Sequence, residues 1–220
     1  MNYLSWSTLF SGRMSYGLCN ECTANLPFIA ANRCERCCKI TEKRICHDCY
    51  MWESHFANND PLIKNVSTFT YNEYMQQIIA KWKYRGDYML GKIFTPIVKR
   101  TFFQWYGSLF SKSVIVPIPL SEKRMMERHF NQSVMLAQMI SSKKHKIQYV
   151  LVRIDEEKQA KKNRTQRIFA KNPFKLVKNI NKTVILVDDI YTTGSTIRHA
   201  ATLLKKGGCP AVYSYTLIRG

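Results

Sequence analysis

The most informative stretch of the chain is Thr183-Val184-Ile185-Leu186-Val187-Asp188-Asp189-Ile190-Tyr191-Thr192-Thr193-Gly194-Ser195-Thr196. Thr183 to Val187 is an apolar, β-branched run, as in a strand covered on both faces of a parallel sheet. A helix follows the stretch to Lys206, with Ile197, Ala200, Ala201 and Leu204 at helical spacing, and Gly207-Gly208 ends it. Ligands of open parallel sheets bind beyond the carboxyl ends of strands, which is where Asp188 and Asp189 fall. Adjacent like charges repel, so this pair calls for ribose hydroxyls, a Mg²⁺ ion or a nearby cation. Gly194 lets the backbone turn its N–H groups inward, and the helix starting near Ser195 adds its positive end. Thr192, Thr193, Gly194, Ser195 and Thr196 therefore form a cradle for a phosphate dianion. Carboxylates beside a phosphate cup suit a ribose 5-phosphate. A plain βα loop with a Ser/Thr cap is the bland alternative, but it does not require strand, acidic pair, hydroxyl loop and helix in this order. GxxxxGK[ST] and GxGxxG are absent, so neither a P-loop NTPase nor a dinucleotide-binding reading is supported.

Working outward, strands and helices alternate. Val66 to Tyr71 reads as a strand, and Asn72 caps a helix from Glu73 to about Lys83. Lys83 to Asp87 is a turn, and a further helix is expected to about Trp105. Val114 to Pro117 is a buried strand, Asn131 to Ile140 a helix, Tyr149 to Val152 a short strand, and Ala211 to Leu217 the last strand. The alternation predicts an α/β domain over residues 61–220, with a mostly parallel sheet flanked by helices. With 45% hydrophobic residues the chain can fill that core.

Residues 1–60 differ. Seven of the eight cysteines lie between Cys19 and Cys49, in three CxxC pairs plus Cys38. Two CxxC knuckles make a tetrahedral zinc site, and the metal stabilises a segment too short for a core of its own. Cys34, Cys37, Cys46 and Cys49 form the compact C-x2-C-x8-C-x2-C set and are the first choice. Cys19 and Cys22 with Cys34 and Cys37 are the rival set. Disulfides would need an oxidising compartment, and a redox CxxC would follow a strand in a βαβ unit. Cys209, beside Pro210, reads as a buried structural thiol.

Charge narrows the partners. The formal charge is +19, and residues 111–182 hold 17 of the 34 basic groups against five of the 15 acids. That concentration points to a polyanion, without separating nucleic acid from a phosphorylated ligand or anionic lipid. Lys158, Lys161, Lys162, Arg164, Arg167 and Lys171 are candidates to track the phosphates of single-stranded DNA, with Trp82, Tyr84, Phe130 and Phe169 as candidate stacking platforms. The bland readings are a solvated face and core aromatics. No run approaches the roughly 18 apolar residues of a membrane span, and Met1 to Ser7 lacks a secretory pattern, so a cytoplasmic protein without stable membrane insertion is expected.

The 184–196 segment resembles the 5-phosphoribosyl 1-pyrophosphate (PRPP) loop of type I phosphoribosyltransferases. The ordered set is similar to the ComF family of late competence proteins over nearly the whole length. That set comprises the CxxC ribbon, Lys83-Tyr84-Arg85-Gly86-Asp87, Val116-Pro117-Ile118-Pro119-Leu120, Glu127-Arg128-His129-Phe130-Asn131-Gln132, the Gln159–Arg167 stretch and Thr216-Leu217-Ile218-Arg219. The resemblance implies a type I phosphoribosyltransferase-like domain behind a small zinc ribbon. It implies that Asp188 and Asp189 meet the ribose hydroxyls directly or through Mg²⁺, and that residues 192–196 hold the 5-phosphate. It also implies that Arg124 or Arg128 neutralises the pyrophosphate and that residues 155–175 form a mobile cover. His129 stands where the family usually has Gly. The family's role implies DNA uptake in natural transformation alongside a ComFA-type helicase. A phosphoribosyltransferase acting on a nucleobase-like acceptor is the alternative.

Overall fold

The computed structural model describes residues 18–29, 32–84, 88–142, 147–154 and 172–220. In chain order its elements are helices α1 (Asn20–Ala24) and α2 (His47–His55), strand β1 (Lys64–Thr70), helices α3 (Glu73–Tyr84), α4 (Tyr88–Lys92) and α5 (Thr95–Phe110), strand β2 (Ser113–Pro117), helices α6 (Glu122–Arg128) and α7 (Gln132–Ile140), strands β3 (Leu151–Arg153), β4 (Phe174–Leu176) and β5 (Thr183–Tyr191), helix α8 (Ser195–Lys206) and strand β6 (Val212–Arg219). Four strands form one sheet in the order β1-β6-β5-β2, and each neighbouring pair is parallel. β3 and β4 make a separate antiparallel ribbon.

The sheet is covered on both faces, as its apolar strands require. Ile185 and Val187 of β5 join Phe102 and Tyr106 of α5, Met135 and Leu136 of α7, and Met75, Ile79 and Trp82 of α3 in one core. Val184 and Leu186, one residue out of phase, join Ile197, Ala200, Ala201 and Leu204 of α8 in the other. Cys34, Cys37, Cys46 and Cys49 belong to this second core. The cysteine segment also covers a buried polar row. Asn65 Oδ1 accepts from Ser214 Oγ at 2.9 Å and Ser67 Oγ meets Thr216 Oγ1 at 2.7 Å, while the Asn65 N–H donates to the Arg36 carbonyl at 2.7 Å.

Several elements differ from expectation. The helix expected to run on to Trp105 is two helices, α4 and α5, with fully buried Phe94 between them and Pro96 in the first turn of α5, where a missing N–H does no harm. The expected strand at 149–152 is β3, shifted to Leu151–Arg153 and paired with β4 outside the main sheet. α6 was not expected; Ser121 caps it and His129 ends it with φ 63°. β5 runs through both aspartates to Tyr191, because Asp188 stays in register with Thr216, and Ile190 and Tyr191 with Ile218 and Arg219. Cys209 is buried, with its thiol donating to the carbonyls of Lys182 and Ala211.

Candidate functional site

The acidic pair sits at the carboxyl edge of the parallel sheet, partly buried. Asp188 Oδ1 accepts from Ser133 Oγ at 2.8 Å and from the Asp189 N–H at 2.9 Å. Ser133 is there because Asn131 caps α7: its side chain accepts from the N–H groups of Ser133 and Val134 and donates to the Ile118 carbonyl. Asp189 is ion-paired with Lys83 at the end of α3. Burial raises the Asp188 pKa to about 7, with Asp189 adding to the rise; Ser133, the Asp189 N–H and Lys83 oppose it. One carboxylate is therefore neutralised by a lysine, while its neighbour exchanges a proton near neutrality.

The turn beyond β5 is built on Gly194, which has φ +81° and precedes α8. Thr193 Oγ1 lies 3.0 Å from Ser195 Oγ and accepts from the Ser195 N–H at 3.3 Å. A Cβ at 194 would fall 2.2 Å from Tyr191 Oη and 2.5 Å from Arg198 Nη1. The underside of the turn is thus filled by buried side chains. Arg198 donates to Tyr191 Oη at 2.6 Å, pairs with Asp60 through contacts of 2.7–3.1 Å and lies over the Trp52 ring. Burial pushes the Tyr191 phenol up, so it stays neutral.

Below lies the cysteine cluster. The sulfurs of Cys34, Cys37, Cys46 and Cys49 lie within 4.8 Å of one another, all buried. A tetrahedral zinc with Zn–S of about 2.3 Å separates its sulfurs by about 3.8 Å, so the four-thiol set fits a metal ion. Cys37 and Cys46 are 3.5 Å apart, and the Cys46 N–H donates to Cys34 Sγ at 3.3 Å. Hydrogen bonds among the four thiols lower the Cys34 pKa and raise those of Cys37 and Cys49, with burial adding to the rise. Cys19 and Cys22 lie outside this cluster. Cys19 caps α1, and Cys22 meets Tyr74.

Asp188, Asp189, Thr192, Thr193, Gly194, Ser195 and Thr196 are brought together by one strand end and one turn. Arg124 is exposed on α6, and Arg128 is buried beside Gln132 Oε1 at 3.4 Å. Lys158, Lys161, Lys162, Arg164, Arg167 and Lys171 lie outside the described residues, as does Phe169. Trp82 is fully buried among apolar neighbours, the position of a core residue rather than an open stacking platform. Sequence reasoning missed four side chains at the site: Ser133, Lys83, Arg219 and Trp52. Arg219 donates to the carbonyls of Tyr191 and Thr192, and Trp52 Nε1 to that of Thr193. Lys83 and Arg219 stood inside stretches that carried the family resemblance; nothing in the sequence marked Trp52.

A family model described as phosphoribosyl transferase domain matches residues 131–220. The chain is 34% identical over 220 residues to competence protein ComFC of Bacillus subtilis, spanning 98% of this chain and 90% of that protein. It is 28% identical over 204 residues to competence protein ComFC of Streptococcus pneumoniae, spanning 92% and 87%. It is 33% identical over 110 residues to DNA utilization protein YhgH of Escherichia coli, spanning 48% of each. No described helix is long and apolar enough to cross a membrane.

Proposed function

We propose that this chain, which belongs to the ComFC family of competence proteins, handles incoming single-stranded DNA during natural transformation and binds PRPP at the 188–196 site. The observation that carries the reading is the strand end, where an acidic pair and a glycine turn meet at the carboxyl edge of parallel strands. In this reading Mg²⁺ enters with PRPP. Asp188 and Asp189 are the oxygen donors for the ion and the ribose diol, residues 192–196 hold the 5-phosphate, and Arg124 and Arg128 answer the pyrophosphate. Zinc in the Cys34, Cys37, Cys46 and Cys49 set is structural. The cysteine-rich segment (1–60) and the phosphoribosyltransferase-like domain (61–220) are the two units. Single-stranded DNA follows the basic stretch from Lys158 to Lys171, and the concentration of charge in residues 111–182 supports that path. The protein acts in the cytoplasm with the uptake machinery, including a ComFA-type helicase.

A second reading, transfer of ribose 5-phosphate to a nucleobase-like acceptor, draws on one observation: Asp188, with its pKa raised to about 7, can carry a proton at neutral pH. The deciding experiment is competition between PRPP and single-stranded DNA, with pyrophosphate release followed in parallel. Mg²⁺-dependent PRPP binding that disappears in the D188N/D189N double variant is expected, as is DNA binding that falls steeply with salt. Unchanged PRPP affinity in the double variant refutes the site, and acceptor-dependent pyrophosphate release favours the transferase.

A further inference from the structure

Three successive backbone carbonyls of the phosphate turn are held from the cysteine side. Arg219 Nη1 donates to Tyr191 O at 3.1 Å and to Thr192 O at 2.9 Å, and Trp52 Nε1 donates to Thr193 O at 2.7 Å. Both side chains are about nineteen-twentieths buried, with Arg219 4% and Trp52 4% exposed. In a trans peptide the C=O and N–H point in opposite directions. The Tyr191 oxygen is also held within the sheet by the Gly220 N–H at 2.9 Å, so it is at 192 and 193 that Arg219 and Trp52 fix the oxygens on the cysteine side and thereby turn the N–H groups of 193 and 194 to the opposite side. That is the orientation an anion cradle needs.

The two donors are themselves fixed by the thiol cluster. Trp52 lies on α2, a nine-residue helix whose N-cap is Cys46 and which carries Cys49. A helix that short is not stable alone, so two metal ligands in its first turn are its anchor. The other end of the Arg219 guanidinium donates to Cys37 Sγ at 3.5 Å and lies 3.8 Å from Asp48 Oδ2. Arg198 closes the connection from the turn's helix, stacking on Trp52 at 4.6 Å and bonding Tyr191 Oη.

We infer that the four-cysteine metal centre sets the geometry of the phosphate turn through Arg219 and Trp52 as positioning residues, so that metal occupancy and phosphate-ligand affinity are coupled. The inference rests on the reading of residues 188–196 as a PRPP site. A centre that only stabilised the fold would also link the two ligands, through the folding equilibrium, so the discriminating measurement is whether the coupling passes through Trp52 in folded, zinc-loaded protein. True coupling obeys linkage: whatever factor zinc contributes to PRPP affinity, PRPP must contribute to zinc affinity.

The test uses the full chain loaded with zinc. Equilibrium competition with a zinc-selective chelator is run with and without saturating Mg²⁺–PRPP, and PRPP affinity is measured by calorimetry for wild type, W52F and R219K. W52F keeps an aromatic ring on α2 and removes the donor to Thr193, at the cost of part of the surface on which Arg198 stacks. The expected results are a five- to tenfold rise in apparent zinc affinity when PRPP is bound, and about tenfold weaker PRPP binding by W52F at full zinc content. The rise in zinc affinity should shrink to less than twofold in W52F. If W52F does not fold, R219K and the wild-type competition carry the test. Tight PRPP binding by wild type that leaves zinc affinity unchanged would overturn the coupling alone. No PRPP binding by wild type would overturn the ligand reading and the coupling with it.

Discussion

Replacing Gly194 by alanine perturbs the turn in two separable ways. The φ of +81° alone costs a Cβ-bearing residue about 1–2 kcal/mol. The added methyl would also sit 2.2 Å from Tyr191 Oη and 2.5 Å from Arg198 Nη1, and neither atom can yield easily. Tyr191 is 2% exposed, and Arg198 is tied to Asp60 by an ion pair of 2.7 Å. Relief requires breaking the 2.6 Å bond between Arg198 and Tyr191, which adds about 1–3 kcal/mol for a buried donor and acceptor. G194A should therefore lose about 2–5 kcal/mol. Gly208 supplies the internal control, with φ +92° and nothing within 4 Å of its would-be Cβ. G208A should lose only the backbone share, about 1–2 kcal/mol. Urea denaturation of both variants and wild type measures the difference, and calorimetry should show PRPP binding lost in G194A and kept in G208A. Equal destabilisation of the two variants would refute the packing argument beneath the turn.

Asp188 has its pKa raised from 3.8 to about 7, so the native protein holds a proton that the unfolded chain has released, and this group lowers stability as pH rises from about 4 to 7. D188N, which can still accept from Ser133 and the Asp189 N–H, should raise Tm relative to wild type at pH 8 but hardly at pH 4.5; an equal shift at both pH values would contradict the assignment. His129 occupies a left-handed position at φ 63°, so H129G should gain up to about 1 kcal/mol after the entropy cost of glycine, and a loss in urea denaturation would count against it. Asp60 and Arg198 form a buried ion pair with side chains 4% and 2% exposed, so D60A should cost about 3–5 kcal/mol by stranding the guanidinium; a loss under about 1 kcal/mol would show that water or another group replaces the carboxylate.

What the sequence made legible was local. The residues of the phosphate turn follow one another, so their order alone places them on a strand end, a bend and a helix start. The family resemblance flagged His129 as standing in place of glycine, and the backbone there is left-handed, a conformation glycine adopts without strain. The side chains that set the chemistry come from a distance: Ser133 reaches Asp188 across 55 residues and Trp52 reaches Thr193 across 141. Spacing likewise left two cysteine sets open. The fold gathers Cys34, Cys37, Cys46 and Cys49 because the chain turns back between Arg33 and Ile40 and α2 then returns Cys46 and Cys49 to the first knuckle. β3 was legible only as a strand shifted towards Tyr149, and β4, three residues long, carries too little periodicity to be read alone.

The sheet also answers a question the acidic pair poses. Consecutive residues of a regular strand face opposite sides, yet both aspartates engage helices of the same core, Asp188 through Ser133 of α7 and Asp189 through Lys83 of α3. The alternation shifts by one residue at this level of the sheet. Ile185 and Val187 face the first core, but so does Ile190, while Tyr191 faces the second. The paired strands shift with it: Tyr215, Leu217 and Ile218 of β6 all lie in the first core, as do Val66 and Phe69 of β1. Because Phe69, Ile218 and Ile190 are aligned across the three strands, the change is a property of the whole sheet edge and not a local defect of β5. It places the Tyr191 ring on the cysteine side, where Arg198 bonds it and Arg219 lies over it at 4.9 Å. The same shift that lets two adjacent carboxylates share one helical face thus seats the residue on which the phosphate turn rests.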